Sequence, residues 1–258
     1  MHAAVEDYAQ RLAEVVLYFL SQPEWHKVTR IVLGGGFPDS KVGGLAIRRA
    51  ARLLKRARAG VELCPLQHDS DDAGLLGWVQ LASKPARKHD AFLAVDIGGS
   101  NIRCGIVQHR LARAKSGAKA RVLERSEWRH ADDDPKRGEA VTRLAGMLNG
   151  LIAQARTTGI DLAPFVGIAC PGRIETDGGI TQGAQNLPGD WETPAFNLPG
   201  ALLEKLDTID ANVAAVVMHN DAVVQGLSER PRMEGTRRWG VLTIGTGLGN
   251  ASYSEADH

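Results

Sequence analysis

The sequence predicts an α/β fold, because strand-like apolar runs alternate with amphipathic helical segments along the chain. A second observation adds detail: three of the predicted strands run directly into glycine-rich turns. None of these turns has the Gly-Lys-Ser/Thr ending of a P-loop or opens a helix with the Gly-x-Gly-x-x-Gly pattern of a dinucleotide fold. Each turn taken alone is more simply a turn between strands than a ligand site.

The clearest of these turns follows Asp96. Residues 92–95 form an apolar run that ends at Asp96, and Gly98 and Gly99 then permit a tight turn with exposed N–H groups. The run 102–107 returns as a second strand. The turn of such a hairpin could hold a phosphate, with the carboxylate beside it holding a metal.

Two more strands enter glycine turns in the same way, near the two ends of the chain. These turns consist of Gly34, Gly35 and Gly36 and of Gly245, Thr246 and Gly247. Three strand-to-glycine turns in one chain suggest a nucleotide held between two similar lobes.

The other elements follow from hydrophobic periodicity and from turn residues. The predicted helices are residues 3–20, 42–58, 71–81, 139–156, 198–205 and 221–228. The predicted strands are residues 30–33, 61–66, 92–95, 102–107, 121–129, 165–170, 214–218, 240–244 and 250–253. Segment 83–90 is polar and contains a proline, which predicts a linker.

Composition argues against several classes of protein. The 258 residues, 43% of them hydrophobic, are enough for a sizeable core in one or two domains. A net charge of +1 indicates neither a nucleic-acid nor a membrane partner, and no apolar run could span a bilayer. Three scattered cysteines and an acidic N-terminal start without a signal-peptide pattern favour a reducing, cytoplasmic setting.

Two charged stretches have simple explanations. The basic helix 42–58 is more readily a solvated face than a nucleic-acid patch, because no aromatic residues are interleaved with its arginines. The three aspartates of segment 130–137 could form a metal cluster, but a solvated loop before a helix is favoured.

Six motifs of this sequence resemble those of the superfamily of sugar kinases, heat-shock proteins and actin. Within that superfamily they resemble the ROK family of bacterial sugar kinases and repressors. DIGGSN resembles the first phosphate motif, TIGTGLG the second and VLGGG the adenosine motif. CPGRI, NLPGDW and HNDA match sugar-side signatures of the family. The resemblance covers nearly the whole chain, and it implies two RNase H-like lobes of the actin-like ATPase fold, with mixed sheets and a cleft between them.

The order of these motifs implies a circular permutation. We expect residues 1–86 to be a second-lobe portion that carries the adenosine motif, and residues 87–229 to be the first lobe. Residues 230–258 would then start the second lobe with the second phosphate motif. Segment 83–90 would cross from one lobe to the other, a joint that nearby chain ends tolerate.

The resemblance also implies roles for particular residues. Asp221 would be the general base, although its position alone favours a helix N-cap. Asp96 would hold Mg²⁺ through water, although a carboxylate bonded to its own turn is the simpler alternative. The sugar-binding residues would be Asn220, Pro171, Gly172 and Asn186. The nucleotide-binding residues would be Gly98, Gly99, Ser100 and Asn101, with Gly245, Thr246 and Gly247 and with Gly34, Gly35 and Gly36.

One part of the family pattern is not found. After the second phosphate motif, a ROK kinase continues into a third strand, a sugar-binding Glu-x-Gly-His segment and a cysteine-rich zinc loop. Glu255 and His258 do not reproduce that spacing, so no zinc site is expected here. We expect this chain alone to bind nucleotide better than sugar and to turn over slowly.

The predicted function is therefore ATP-dependent phosphorylation of a sugar, a hexose by preference, with ATP and Mg²⁺. A homodimer is common in the family. The alternative is a sugar- or nucleotide-binding protein that has lost catalysis, which the unmatched segment favours. A sugar-responsive repressor is disfavoured, because no helix-turn-helix segment precedes the ATPase-like portion.

Overall fold

A computed structural model describes residues 2–38 and 40–254. The chain divides into two compact units, which we call the central unit (Asp71–Pro231) and the terminal unit (Met1–Ser70 with Arg232–His258). Each unit is built on a mixed sheet with helices, so the predicted α/β class is confirmed. Among the described residues, no helix combines the length and the apolar character that crossing a membrane requires.

Apart from two short strands (Arg173–Ile174 and Ile180–Gln182) that are not among the predicted strands, the elements follow the predicted order with bounds close to those expected. The strands are β1 (Arg30–Gly34), β2 (Glu62–Pro65), β3 (Ala91–Ile97), β4 (Ile102–Gln108), β5 (Arg121–Trp128), β6 (Leu162–Cys170), β7 (Arg173–Ile174), β8 (Ile180–Gln182), β9 (Ala215–Asn220), β10 (Arg238–Ile244) and β11 (Leu248–Ser254). The α-helices are α1 (His2–Leu20), α2 (Lys41–Arg56), α3 (Ser70–Leu76), α4 (Trp78–Leu81), α5 (Arg137–Thr158), α6 (Leu198–Leu203) and α7 (Asp221–Leu227).

One predicted helix, over residues 71–81, is two helices in the structure. The break falls at Gly77, between α3 and α4. A Cβ atom at residue 77 would stand 1.7 Å from the carbonyl oxygen of Val224 in α7, so only a glycine permits this approach. Because that contact joins distant parts of the chain, helical periodicity does not indicate it.

The main sheet of the central unit has the strand order β5-β4-β3-β6-β9. β4 is antiparallel to both of its neighbours, β3 and β5, whereas β6 and β9 continue the sheet in parallel with β3. This strand order is the RNase H-like plan that the family resemblance implied. It places the carboxyl ends of β3, β6 and β9 at one edge of the sheet.

Strand β3 is covered by a hydrophobic core on each face of this sheet. Its side chains alternate between the faces. Leu93 and Val95 belong to a core with Leu144 of α5, while Phe92 belongs to a second core with Trp78 of α4. Packing on both sides fixes the end of β3, and with it the turn that follows.

The sheet of the terminal unit has the strand order β11-β10-β1-β2. β10 and β11 form an antiparallel hairpin, and β1 runs parallel to both β10 and β2. Helices α1 and α2 contribute Val16 and Leu54 to a core with Ile31 and Leu33 of β1. Gly34 lies opposite Thr243, so the turns that follow β1 and β10 are neighbours.

The terminal unit draws its hairpin from the end of the chain and its two parallel strands from the beginning. Helix α1 and the β3–β4 hairpin lie in different units. Both facts are what the permutation hypothesis requires, and the hypothesis itself stays a prediction.

Segment 83–90, expected to join the lobes, lies wholly inside the central unit. Ala86 is buried there, Arg87 donates to the carbonyl oxygens of Gln80 and Ala82, and His89 pairs with Asp161. The chain passes between the units beside Ser70 instead. Proline and polar residues mark a turn in this segment, and the turn is fastened to the core by these contacts.

Candidate functional site

Two carboxylates lie at the edge of the central sheet where the parallel strands end. Asp96 is the last residue but one of β3, and Asp221 begins α7 directly after β9. The sheet register aligns Asp96 with Ala169 of β6 and His219 of β9. The topology therefore brings together two residues that are far apart in sequence.

The Asp96 carboxylate is largely buried, with 14% of its side chain exposed. Burial raises its pKa to about 7; the Arg103 guanidinium opposes this rise, while the charges of Asp221 and Asp71 add to it. Burial also raises the pKa of the Cys170 thiol, with further contributions from Asp221 and Asp96. The two carboxylates are thus close enough to sense each other's charge.

Asp221 is not the N-cap of α7. Asn220 holds that position, and its side-chain oxygen accepts a hydrogen bond from the Val223 N–H at 3.2 Å. One oxygen of Asp221 accepts from the Ala222 N–H at 2.8 Å. Burial raises the pKa of Asp221, and this backbone hydrogen bond partly offsets the rise. The N-cap alternative for Asp221 is therefore replaced by a partly buried carboxylate in the first turn.

The predicted sugar-side residues are only partly brought together. The Asn220 amide donates to the carbonyl oxygen of Gly172 at 2.9 Å, so these two residues are in contact. Gly172 has a φ of +103°, and a Cβ there would stand 2.4 Å from the Gln182 carbonyl oxygen. Pro171 precedes it at the end of β6, whereas Asn186 lies exposed in a turn between β8 and α6.

The turn from Gly98 to Asn101 presents N–H groups at the same edge. It is closed by a hydrogen bond from the Gly98 N–H to the Asn101 carbonyl oxygen at 2.8 Å. Within the described residues, the N–H groups of Gly99 and Ser100 have no hydrogen-bond partner. Successive free N–H groups of this kind form a concave site for an anion.

His130, which the sequence did not single out, supports this turn. Its Nε2 atom lies 2.9 Å from the Gly98 carbonyl oxygen, and the Ala131 N–H donates to the Ser100 carbonyl oxygen at 3.2 Å. His130 is 4% exposed and packs edge-on against Trp128. These contacts tie the carbonyl groups of Gly98 and Ser100 to the following segment.

The aspartates after His130 do not form a metal site. Asp132 pairs with Arg129, and Asp133 accepts hydrogen bonds from Trp128 and Arg143. Across residues 2–38 and 40–254, no three His, Cys, Asp or Glu side chains are grouped to hold a metal ion. Mg²⁺ needs no such group, since it binds through one or two carboxylates together with substrate phosphates. Asp96 and Asp221 beside the glycine turn fit that requirement.

No protein-family model matches this sequence, and no curated protein matches it. Several solved structures do. A Listeria monocytogenes protein described as a candidate N-acetylmannosamine kinase is 22% identical, over 64% of this chain and 47% of that one, with a TM-score of 0.41. A candidate sugar kinase from Cytophaga hutchinsonii is 18% identical, over 64% and 48% of the two chains, with a TM-score of 0.44. A glucokinase from Balamuthia mandrillaris, solved with glucose, is also 18% identical, over 71% and 50%, with a TM-score of 0.38.

This chain thus spans about half the length of each of these proteins. At such identities and TM-scores, the likeness assigns neither an activity nor a substrate to it.

The two glycine turns of the terminal unit are adjacent. Gly35 has a φ of +94°, and a Cβ there would stand 2.4 Å from the carbonyl oxygen of Ile244 at the end of β10. The Gly245 N–H donates to the Gly247 carbonyl oxygen at 3.0 Å, and the turn between them is exposed. Gly35 therefore has a structural reason to be glycine, independent of any ligand.

The contacts of two further side chains explain their positions. Trp191 is 1% exposed and donates to the Pro188 carbonyl oxygen at 2.6 Å, so it is a packing residue. The Nδ1 atom of His219 accepts from the Asn220 N–H at 2.9 Å, and burial lowers the pKa of this imidazole. A neutral His219 beside Asp221 follows from both observations.

Proposed function

We propose that the central unit catalyses the ATP-dependent phosphorylation of a sugar hydroxyl, a hexose by preference, with Asp221 as the general base. The observation that carries this proposal is the pair of partly buried carboxylates, Asp96 and Asp221, beside a turn with two free N–H groups. Phosphoryl transfer needs a proton acceptor, groups that neutralise the negative charge of the phosphates, and a site from which water is partly excluded.

The chemical step assigns one role to Asp221. The sugar hydroxyl oxygen bonds to the γ-phosphorus of ATP as the bond from that phosphorus to the leaving ADP oxygen breaks. The hydroxyl proton passes to the Asp221 carboxylate. A carboxylate whose pKa is raised by burial is a stronger proton acceptor than an exposed one, which suits this role near neutral pH.

The other groups of the site would bind and orient. The Gly99 and Ser100 N–H groups, with the Asn101 side chain, would hold phosphate oxygens through the turn that begins at Gly98. Asp96 would hold Mg²⁺, which neutralises phosphate charge when bound. In the terminal unit, we propose that Gly34 to Gly36 contact adenosine and Gly245 to Gly247 contact phosphate.

On the sugar side, Asn220 is the main candidate for a polar contact. Its amide oxygen and nitrogen each have one protein partner, which leaves one acceptor site and one N–H for a sugar hydroxyl. Pro171 and Gly172 would shape the pocket beside it. Asn186 would reach the sugar only from its exposed turn.

The second candidate function is binding of nucleotide or sugar without transfer. The specific observation in its favour is that both polar groups of Asn220 are already engaged within the protein. The site then offers a sugar fewer hydrogen bonds than a fully free amide would. A hydroxyl left unpaired in a dry site costs about 1–3 kcal/mol.

One pair of measurements separates the two functions. ADP release with MgATP should depend on an added hexose in a panel of sugars if transfer occurs, and calorimetry should show MgATP binding in either case. Nucleotide binding without sugar-dependent ADP release would favour the binding function. Absence of nucleotide binding by folded protein would contradict both.

We also propose that the chain is circularly permuted, because the sheet of the terminal unit combines strands from both ends of the chain. A rearranged gene that encodes residues 71–258, a flexible linker and then residues 1–70 should give a protein with a similar urea midpoint. Failure of the rearranged chain to fold would count against the permutation.

The three cysteines are free thiols, and two of them are buried. They support the proposal that this protein works in a reducing compartment.

A further inference from the structure

Helix α3 lies directly against the candidate metal carboxylate. A Cβ atom at Gly74 would stand 2.5 Å from Cγ of Asp96 and 2.8 and 2.9 Å from its two carboxylate oxygens. A glycine inside a helix makes the helix less stable by about 1 kcal/mol than an alanine would, so the presence of Gly74 needs a reason. The close approach of the Asp96 carboxylate supplies that reason.

Helix α3 is held in this place by two ion pairs from its first turn. Asp71 lies 2.7 Å from Nη2 of Arg103 on β4, and Asp72 pairs with Arg125 on β5. The buried residues of α3 run from Ala73 to Leu76, so the helix is fastened by charge at its start and by packing along its length.

Arg103 lies among three carboxylates and is nearest to Asp71. The sheet register places Asp96, Arg103 and Glu127 side by side on β3, β4 and β5. Nη2 is 2.7 Å from Asp71 and Nε is 3.1 Å from Glu127, whereas Nη1 is 3.8 Å from Asp96. The guanidinium is therefore held slightly away from Asp96 by its two other partners.

We propose that Gly74 and Asp71 are positioning residues for Asp96. Gly74 leaves the space that the Asp96 carboxylate occupies, and Asp71 keeps Arg103 from closing on that carboxylate and competing with a cation. The inference deepens the proposed function, because it rests on Asp96 holding the metal of a metal–nucleotide complex.

The nearby Gly77 provides a contrast. A Cβ at Gly77 would meet the backbone of Val224, which cannot move without α7, whereas a Cβ at Gly74 would meet only the end of a side chain. Gly74→Ala should therefore fold and displace Asp96, while Gly77→Ala should destabilise the central unit. Only the first variant isolates the positioning of Asp96.

The test is calorimetric titration with ADP in the presence and in the absence of Mg²⁺. Gly74→Ala and Asp96→Asn should each bind MgADP about 10–100-fold more weakly than wild type, the range typical for residues that orient metal ligands. Binding of metal-free ADP should not change. The double variant should bind no more weakly than Asp96→Asn, since both changes remove the same interaction.

Gly146→Ala is the matched control, because Gly146 lies in α5 and a Cβ there meets no atom within 4 Å. Its MgADP affinity should equal that of wild type. A folded Gly74→Ala that also binds MgADP like wild type, while Asp96→Asn is weakened, would overturn the positioning inference and leave the role of Asp96 intact. Wild-type affinity in Asp96→Asn would overturn both.

A second pair of variants keeps the inference testable if Gly74→Ala does not fold. Asp71→Asn removes the closest of the partners that restrain Arg103, whereas Asp72→Asn makes the same charge change at the next residue and disturbs the pair with Arg125. We expect Asp71→Asn to weaken MgADP binding about tenfold and Asp72→Asn to leave it unchanged. Equal affinities in these two variants would overturn the inference.

Discussion

The two units share a backbone plan and differ in chemistry. In each, a hairpin encloses a glycine turn, and two parallel strands continue the sheet beyond the first strand of the hairpin: β6 and β9 in the central unit, β1 and β2 in the terminal unit. Two residues before the turn, the central unit has Asp96 and the terminal unit has Thr243. The fold is repeated but the carboxylate is not, so the plan alone does not determine the site.

The hairpins also differ on their outer side. In the central unit, β4 is covered by β5, and Ile102 at its start is fully buried. In the terminal unit, β11 is the outer strand of the sheet as described, and its first residue, Leu248, is 48% exposed. Equivalent positions in the two hairpins thus contribute differently to stability.

The largest expected effect follows from that difference. Ile102→Ala should lower the free energy of unfolding by about 4 kcal/mol, because it leaves a cavity in a packed core. Leu248→Ala should change it by about 0.5 kcal/mol, as is usual for an exposed position. Urea unfolding of both variants measures the contrast, and equal losses would show that the outer side of β11 is as well packed as that of β4.

The glycines of the two units should respond differently to alanine. Gly35→Ala should destabilise the protein by about 3 kcal/mol, since the residue has a positive φ and its Cβ would meet the Ile244 backbone. Gly98→Ala should cost less than about 1 kcal/mol, because its Cβ would lie an ordinary 3.4 Å from the Asn101 carbonyl oxygen. Thermal unfolding of the two variants tests this, and a larger loss in Gly98→Ala would reverse the assignment.

The smallest expected effect is a pH dependence of the free energy of unfolding, which Asp96 of the central unit causes. The pKa of Asp96 rises from 3.8 to about 7 on folding, so the folded state holds the proton more tightly. The contribution of protonated Asp96 to the free energy of unfolding is complete below pH 3.8 and is lost as the pH rises to about 7. The free energy of unfolding falls by no more than about 1.4 kcal/mol per pH unit over this range.

The unfolding free energy of ligand-free wild type should therefore fall by about 2 kcal/mol between pH 5 and pH 7 relative to Asp96→Asn. Urea midpoints at the two pH values measure this difference. Thr243→Val, at the equivalent position of the terminal unit, should follow the wild-type pH dependence. Parallel curves for wild type and Asp96→Asn would contradict the burial of this carboxylate.

The elements themselves were predictable from sequence because they depend on local patterns. The apolar run that ends at Asp96 and the glycines after it identify β3 and its turn. The hairpin register also places Arg103 opposite Asp96, so this neighbour could have been found before the structure.

The missed features depend on contacts between distant segments. The approach of Gly74 to Asp96, the break at Gly77 and the support of Gly98 by His130 join residues that no periodicity connects. Segment 83–90 has the composition of a linker but lies in the central unit, because proline and polar residues are shared by linkers and by turns fastened to a core. The role of Asp221 stays a prediction, although the structure supplies a different residue, Asn220, as the helix cap.

The measurement that tests the proposed chemistry most directly is the rate of sugar-dependent ADP release by Asp221→Asn at saturating MgATP. Asp161→Asn is the control, since Asp161 precedes β6 at the opposite edge of the same sheet and pairs with His89. We predict that Asp221→Asn lowers the rate by about 10²–10⁴-fold with unchanged nucleotide affinity, and that Asp161→Asn keeps the wild-type rate. A wild-type rate in Asp221→Asn would contradict its role as the base.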